Sequence, residues 1–299
     1  MVLLAVLFWA SIGVVGKALY RMGVDPVGVA TLRVLLAWAI TALWLSSRKG
    51  GFRVPLRKIP GLVLYGAVAV ALNYLCYLYA LEFIGVTPAI VLVYTHPVAV
   101  ALLSRVLFRE PLGRRKVLSL FLTLVGVFLV AQGYDPARFR VNLPGVLLAL
   151  GTSGGITFYN LWGKRLVRDL DPWTVLFWGF AVGGLLLGVF RGLVFRGPWG
   201  YPPRAWGLLL FLALFPSVLG YGLYLRALQR LEASRAAIAA TLEPVLASVL
   251  AVLFLGEKIQ GPQALGGLSV LIGVLTIQLE PARGVEPPTC GLRNRRSTD

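Results

Sequence analysis

The sequence predicts an all-α integral membrane protein of ten transmembrane helices, arranged as two inverted repeats of five. Three observations predict it. Of 299 residues, 58% are hydrophobic and 14% charged, with a mean hydropathy of +0.80, whereas soluble domains run near half apolar and a quarter charged. The apolar residues fall into separate runs, each close to the roughly 20 residues that cross about 30 Å of hydrocarbon. Matching residues also recur in the two halves at one constant spacing. This composition excludes a soluble enzyme. The 29 Lys and Arg against 12 Asp and Glu give +17, which in a membrane chain reads as basic cytoplasmic loops, with no nucleic-acid partner.

The spans run over 2–20, 27–46, 61–82, 87–108, 115–132, 143–163, 173–195, 205–226, 234–255 and 262–280. Each is a helix, because an unclosed strand cannot satisfy its backbone groups in lipid. The first has no basic leader or small-residue cleavage site and reads as a retained helix, not a signal peptide. Asp25-Pro26, Asp171-Pro172 and Gly261-Pro262 punctuate the connections. The polar segment 281–299 lacks an apolar period and reads as a disordered cytoplasmic tail. With the N-terminus inside, the inner segments hold 20 Lys and Arg and the outer ones 8, with Arg33 inside a span. That bias places both termini in the cytoplasm.

The repeat gives the two-fold plan. Tyr74, Tyr77, Ala80, Leu81, Ala89, Pro97, Val98, Glu110 and Gly126 match Tyr221, Tyr224, Ala227, Leu228, Ala236, Pro244, Val245, Glu257 and Gly273, each pair 147 residues apart. Two halves follow, 1–132 and 143–280. Five spans is an odd number, so equivalent helices cross in opposite directions. The loops agree: Glu110 sits among Arg109, Arg114, Arg115 and Lys116, whereas Glu257 keeps only Lys258. Such inverted repeats characterise secondary transporters, with a binding site near the midplane.

These residues resemble a known family. The run Leu92-Val93-Tyr94-Thr95-His96-Pro97-Val98, Leu107-Phe108-Arg109-Glu110-Pro111 and Gly126-Val127 is similar to the EamA repeat of the drug/metabolite transporter superfamily. Leu242-Glu243-Pro244-Val245, Leu255-Gly256-Glu257-Lys258, Gly266 and Gly273-Val274 resemble its second copy. Phe8-Trp9-Ala10-Ser11 with Lys17, and Asp25-Pro26 with Thr31-Leu32-Arg33, resemble the first two helices. The resemblance implies a ten-helix carrier in a prokaryotic inner membrane, exporting small metabolites such as amino acids without ATP, metal or cofactor. Its partners are then the transported metabolite and membrane lipids, with a homodimer left open.

Other functions find less support. A single His and two cysteines, Cys76 in a span and Cys290 in the tail, make no metal cluster or disulfide. There is no phosphate loop and no dinucleotide fingerprint. An intramembrane transferase needs clustered carboxylates, and the nearest pair, Asp169 and Asp171, reads as a helix cap. A lipid or multidrug translocator of the same fold stays open beside the metabolite carrier.

Ionisable residues inside a span cost about 2.5–3.5 kcal/mol, so each asks for a partner or a wet cavity. His96 and Glu243 are 147 apart, central in their spans and each followed by a proline. They read as a midplane pair, with Glu243 the candidate for proton coupling, or as groups that satisfy carbonyls freed by the prolines. Arg33 reads as a bidentate carboxylate holder or as a helix anchor. Trp9, Tyr77, Tyr94 and Tyr224 read as a cavity wall or an interfacial belt, within an aromatic set that includes Tyr74, Tyr159 and Tyr221. Ser11, Gly13 and Gly16 interrupt the first span of one half, and 151–160, with Ser153, Thr157 and Asn160, that of the other. Paired interruptions point to a binding site, to which the buried amide Asn73 is added. Close packing is the alternative for the small residues, and it accounts for Gly179, Gly183, Gly184, Gly188 and Gly192. Glu110 and Glu257 read as cap or hinge carboxylates, with gating as the alternative.

Overall fold

The computed structural model of the chain describes residues 1–48, 51–195 and 200–279, and the tail expected over 281–299, with Cys290, lies outside them. Among the described residues there is no strand. The helical rods are α1 (Val2–Arg21), α2 (Pro26–Ser46), α3 (Leu56–Ile84), α4 (Val86–Phe108), α5 (Arg114–Val130), α6 (Leu143–Leu166), α7 (Pro172–Val194), α8 (Pro203–Leu228), α9 (Ala233–Leu255) and α10 (Gly261–Gln278). Eight of them are long and apolar enough to cross a membrane. The other two are α5, at 17 residues, and α6, whose 24 residues include the polar run 151–160.

Side chains and prolines start these helices. Asp25 accepts the Gly28 N–H at 2.6 Å at the head of α2, Asn142 the Gly145 N–H at 2.8 Å on α6, and Asp171 the Trp173 N–H at 3.0 Å on α7. A proline occupies the first turn of each, where its missing N–H costs nothing. Asp171 is thus the helix cap that its spacing before Pro172 predicts. Large apolar side chains such as Leu43, Val106, Leu253, Phe254 and Leu265 stay exposed, as an outer surface in contact with lipid requires.

Breaks in the rods recur at the repeat spacing. Helix α4 is interrupted at Tyr94 and Thr95 and α9 at Thr241 and Leu242, so His96 and Glu243 each open a new segment. Pro97 and Pro244 sit in the first turns of those segments, so they begin helices and do not bend continuous ones. Wider π-helical turns cover Gly66–Leu72 in α3 and Ala213–Tyr221 in α8, their starts again 147 apart. After α4 and α9 the backbone turns left-handed at Arg109 (φ 57°) and Gly256 (φ 68°). The first helix of each half, by contrast, is unbroken, although polar and small residues interrupt its apolar run. Its polar residues bond carbonyls of their own helix: Ser11 to Phe8, Thr152 to Leu148, Thr157 to Ser153 and Asn160 to Ile156. Such back-bonding leaves an α-helix intact.

Helices α5 and α10 meet backbone to backbone. A Cβ on Gly126 would come within 2.7 Å of the Gly266 carbonyl, and one on Gly266 within 2.7 Å of the Gly126 carbonyl. Ser119 donates to the Gly273 carbonyl and Ser269 to the Leu122 carbonyl at 2.8 Å. Small residues that admit such contacts join helices where no water-driven force does. In α7, Gly179, Gly183 and Gly184 pack as expected against Tyr65, Val70 and Leu35, but Gly188 and Gly192 face open space, so packing does not account for them.

Candidate functional site

The π-helical turns of α3 and α8 lead into Tyr74 and Tyr221, whose hydroxyls are 3.5 Å apart. These residues are repeat equivalents, so they meet where the two halves face each other. Arg33 of α2, only 4% exposed, donates through Nη2 to the Tyr74 hydroxyl, and its guanidinium lies 5.0 Å from the Tyr74 ring centre. Its Nε has no hydrogen-bond partner. A buried donor left unmatched is costly, and a guanidinium fork fits a carboxylate.

Glu243 enters from the break in α9. Its carboxyl lies within electrostatic reach of Tyr94, Arg33, Tyr77 and Tyr221. An acid and a base thus act on each other electrostatically among tyrosines. The Tyr94 ring also lies 5.6 Å from the ring of His96. His96 is buried, and its Nδ1 turns to the Val93 carbonyl at 3.1 Å.

An aromatic wall continues from Tyr221. Trp9 lies 5.0 Å from Tyr221 and 5.1 Å from Tyr224, and donates its indole N–H to the Pro216 carbonyl at 3.1 Å. The Tyr224 hydroxyl donates to Asn160 Oδ1 at 2.6 Å. Ser153 and Thr95 share a hydroxyl contact of 3.0 Å, tying α6 to the break in α4. Asn73 lies against Gly155, its Oδ1 without a partner. Of the sequence-predicted residues, the structure brings Trp9, Asn160 and Tyr224 into contact and sets Tyr77 and Tyr94 within electrostatic reach of Glu243. Ser11 and Thr157 spend their hydroxyls on their own helices.

Tyr65 escaped the sequence reading. It is buried, stacks 5.7 Å from Tyr159, and lines a small cavity with Tyr74, Tyr159 and Tyr221. The repeat spacing could not find it, because Leu212 stands at the equivalent position.

Polar clusters hold the helix ends. Glu110, buried, accepts the Ala233 N–H at 2.8 Å, the Ser234 N–H at 3.2 Å and the Ser234 hydroxyl at 2.6 Å, and pairs with Lys164 at 3.3 Å. Burial pushes its carboxyl pKa up, but the Ser234 bond, Lys164 and the two N–H groups outweigh this and hold it below its ordinary value. Glu110 therefore caps the start of α9, a helix far from its own in sequence. Beside it, buried Lys116 pairs with Glu232 at 2.8 Å. Elsewhere, Arg191 forks onto Asp25 at 2.8 and 2.9 Å, and Tyr201 donates to Asp25 at 2.6 Å.

This plan, with two similar halves meeting at a polar centre, has close relatives. The EamA-like transporter family matches residues 1–132 and 143–279. The chain belongs to that family. It is 30% identical over 273 residues to the threonine/homoserine exporter RhtA of Salmonella typhimurium, covering 89% of this chain and 87% of RhtA. It is 26% identical to the uncharacterized transporter YwfM of Bacillus subtilis, covering 94% of each. A solved crystal structure superposes with a TM-score of 0.81 at 19% identity, covering 93% of this chain and 95% of that one, which extends the likeness to the fold. The protein is a multi-pass membrane transporter of the EamA family.

Proposed function

We propose that this EamA transporter is a secondary carrier that exports small zwitterionic metabolites, amino acids foremost, by alternating access. In this reading ten helices cross the inner membrane of a prokaryote, both termini are cytoplasmic, and 1–132 and 143–280 are the inverted repeats. The observation that carries the reading is a buried Arg33 guanidinium with a free Nε, within electrostatic reach of the Glu243 carboxyl and bonded to Tyr74. An α-amino acid presents a carboxylate to the first and an ammonium to the second, and tyrosine faces favour the cation between them. RhtA, an exporter of two amino acids, supports the substrate class.

Glu243 also serves as the proton-coupling group. It is a part-buried carboxyl within a span, and such a group can exchange its proton for the substrate's ammonium as the site changes sides. His96 is the milder contributor.

The test is counterflow of radiolabelled threonine into liposomes holding the purified protein, with no nucleotide present. Uptake is expected in the parent, with loss in Glu243→Gln and in Arg33→Gln while both variants still run as monodisperse protein. A strict requirement for ATP, or uptake of a lipophilic dye but of no amino acid, would overturn the reading.

A further inference from the structure

One ion pair occurs twice. Lys164 pairs with Glu110 at 3.3 Å and Lys17 with Glu257 at 2.5 Å, and both the lysines and the glutamates are separated by the repeat spacing of 147 residues. Each glutamate follows a left-handed residue at the end of α4 or α9. Because Glu110 at the end of α4 touches the start of α9, these helices run in opposite directions, and the two pairs lie at opposite ends of the molecule.

Their surroundings differ. Glu110 and Lys164 are 6% and 13% exposed, and Glu257 and Lys17 are 50% and 53% exposed. Glu110 holds the first turn of α9 through Ala233 and Ser234, and Lys164 also donates to the Leu231 carbonyl at 2.6 Å. The repeat equivalents of Ala233 and Ser234 are Val86 and Thr87, at the first turn of α4. There the helix begins at Gly85 without a side-chain cap and Val86 is exposed. Thr87 supplies the same hydroxyl as Ser234.

Resting on the carrier reading above, we infer that the two Glu–Lys pairs are alternating gates. This structure holds the Glu110 gate shut and the Glu257 gate open. In the opposite state Glu257, with Lys17, moves onto the first turn of α4, accepting the Val86 and Thr87 N–H groups and the Thr87 hydroxyl, while Glu110 releases α9. The same bonds are thus made at one end or the other, so the two states stay close in free energy, as a reversible carrier requires. With the termini inside, the shut gate is the cytoplasmic one.

The experiment is spin-label distance measurement on the full chain in liposomes, in a Cys76→Ser, Cys290→Ser background. One label pair at the exposed positions Leu107 and Leu231 reports the Glu110 gate, and another at Phe83 and Ile259 the Glu257 gate. Glu110→Gln is expected to lengthen the first distance and shorten the second, and Ser234→Ala to do the same by less. Glu257→Gln and Thr87→Val are expected to keep both distances of this structure and slow transport on the order of tenfold. The gates are overturned if Ser234→Ala and any folded Glu110→Gln move neither distance, or if Glu257→Gln transports at the parent rate. The distances need no substrate, so exchange of gates without amino-acid transport would remove the proposed substrate and leave the gates standing.

Discussion

The surroundings of Glu110 and of Glu257 differ far more than their sequences do. Both follow a left-handed residue, both pair with a lysine from the first helix of a half, and one is buried under four polar contacts while the other is half exposed. The difference teaches that, on the proposed inverted-repeat reading, one conformation has to be asymmetric. Two halves of identical conformation would make both ends equally open or equally closed, and neither moves a solute. On that reading, what distinguishes the ends is a record of state, and the sequence records only what they share.

Removing each carboxylate gives the largest contrast. Glu110→Ala leaves Lys164 and the first turn of α9 without their partner, and breaking a buried pair costs about 3–5 kcal/mol. Glu257→Ala removes a solvent-screened pair, for which at most about 1 kcal/mol is expected. Thermal unfolding of both variants in detergent checks this. Equal losses would mean that the Glu257 end is as closed in solution as the Glu110 end.

A second contrast sets Asp25 against Asp171, each before a proline at the head of α2 or α7. Asp25 carries the Arg191 fork as well as its cap, whereas Asp171 caps Trp173. Asp25→Asn keeps the cap and loses the charged pair, at about 2 kcal/mol. Asp171→Asn changes stability by a few tenths, because Asn caps as well as Asp. Burial raises the Asp25 carboxyl pKa, but bonds to Arg191, Tyr201 and Gly28 outweigh it and bring the folded value below the ordinary 3.8. A depressed carboxylate stabilises above its unfolded pKa and loses that contribution as pH falls through the lower folded one. The clamp is therefore intact at neutral and mildly acidic pH, and a stability profile of the parent should show no loss from Asp25 above about pH 4.

The repeat was legible because it is ungapped: one offset found Tyr74 with Tyr221 and Glu110 with Glu257. The same offset joins Lys17 to Lys164, but charges counted only for orientation hide that match. The place of the helix breaks was not legible. A polar run such as 151–160 reads as an interruption of its apolar span, yet its hydroxyls and amide bond carbonyls within an unbroken α6. The actual breaks lie before Pro97 and Pro244, where the spacing shows only a proline and not which side of it the turn occupies. Arg33 reads as an anchor or a ligand, and the sequence carries no sign that Tyr74 takes its Nη2 and leaves its Nε without a partner.

The glycines of α7 give a third, smaller contrast. Gly183→Val drives methyl groups into Val70, which a Cβ alone would already approach to 2.5 Å, whereas Gly188 faces nothing within 4 Å. Overpacking of this kind costs about 1–3 kcal/mol, so Gly183→Val should lower the unfolding temperature and Gly188→Val should not. A loss at Gly188 would reveal a packed partner at that position.

The smallest effect returns to the two ends. Gly256 and Arg109 occupy the same left-handed turn, at φ 68° and 57°, and only glycine adopts it without cost. Gly256→Ala should therefore destabilise by about 1 kcal/mol, the penalty of a side chain in this region. Arg109→Gly relieves the same penalty but gives the unfolded chain about 0.5–1 kcal/mol more conformational entropy. Its net effect should be a gain of a few tenths. Arg109 is exposed, so nothing buried is lost with its side chain. Calorimetry or thermal unfolding of the two single variants gives opposite signs if the turns are equivalent. If Arg109→Gly instead loses more than about 1 kcal/mol, the arginine holds the Glu110 end through its side chain, and the two ends differ in chemistry as well as in state.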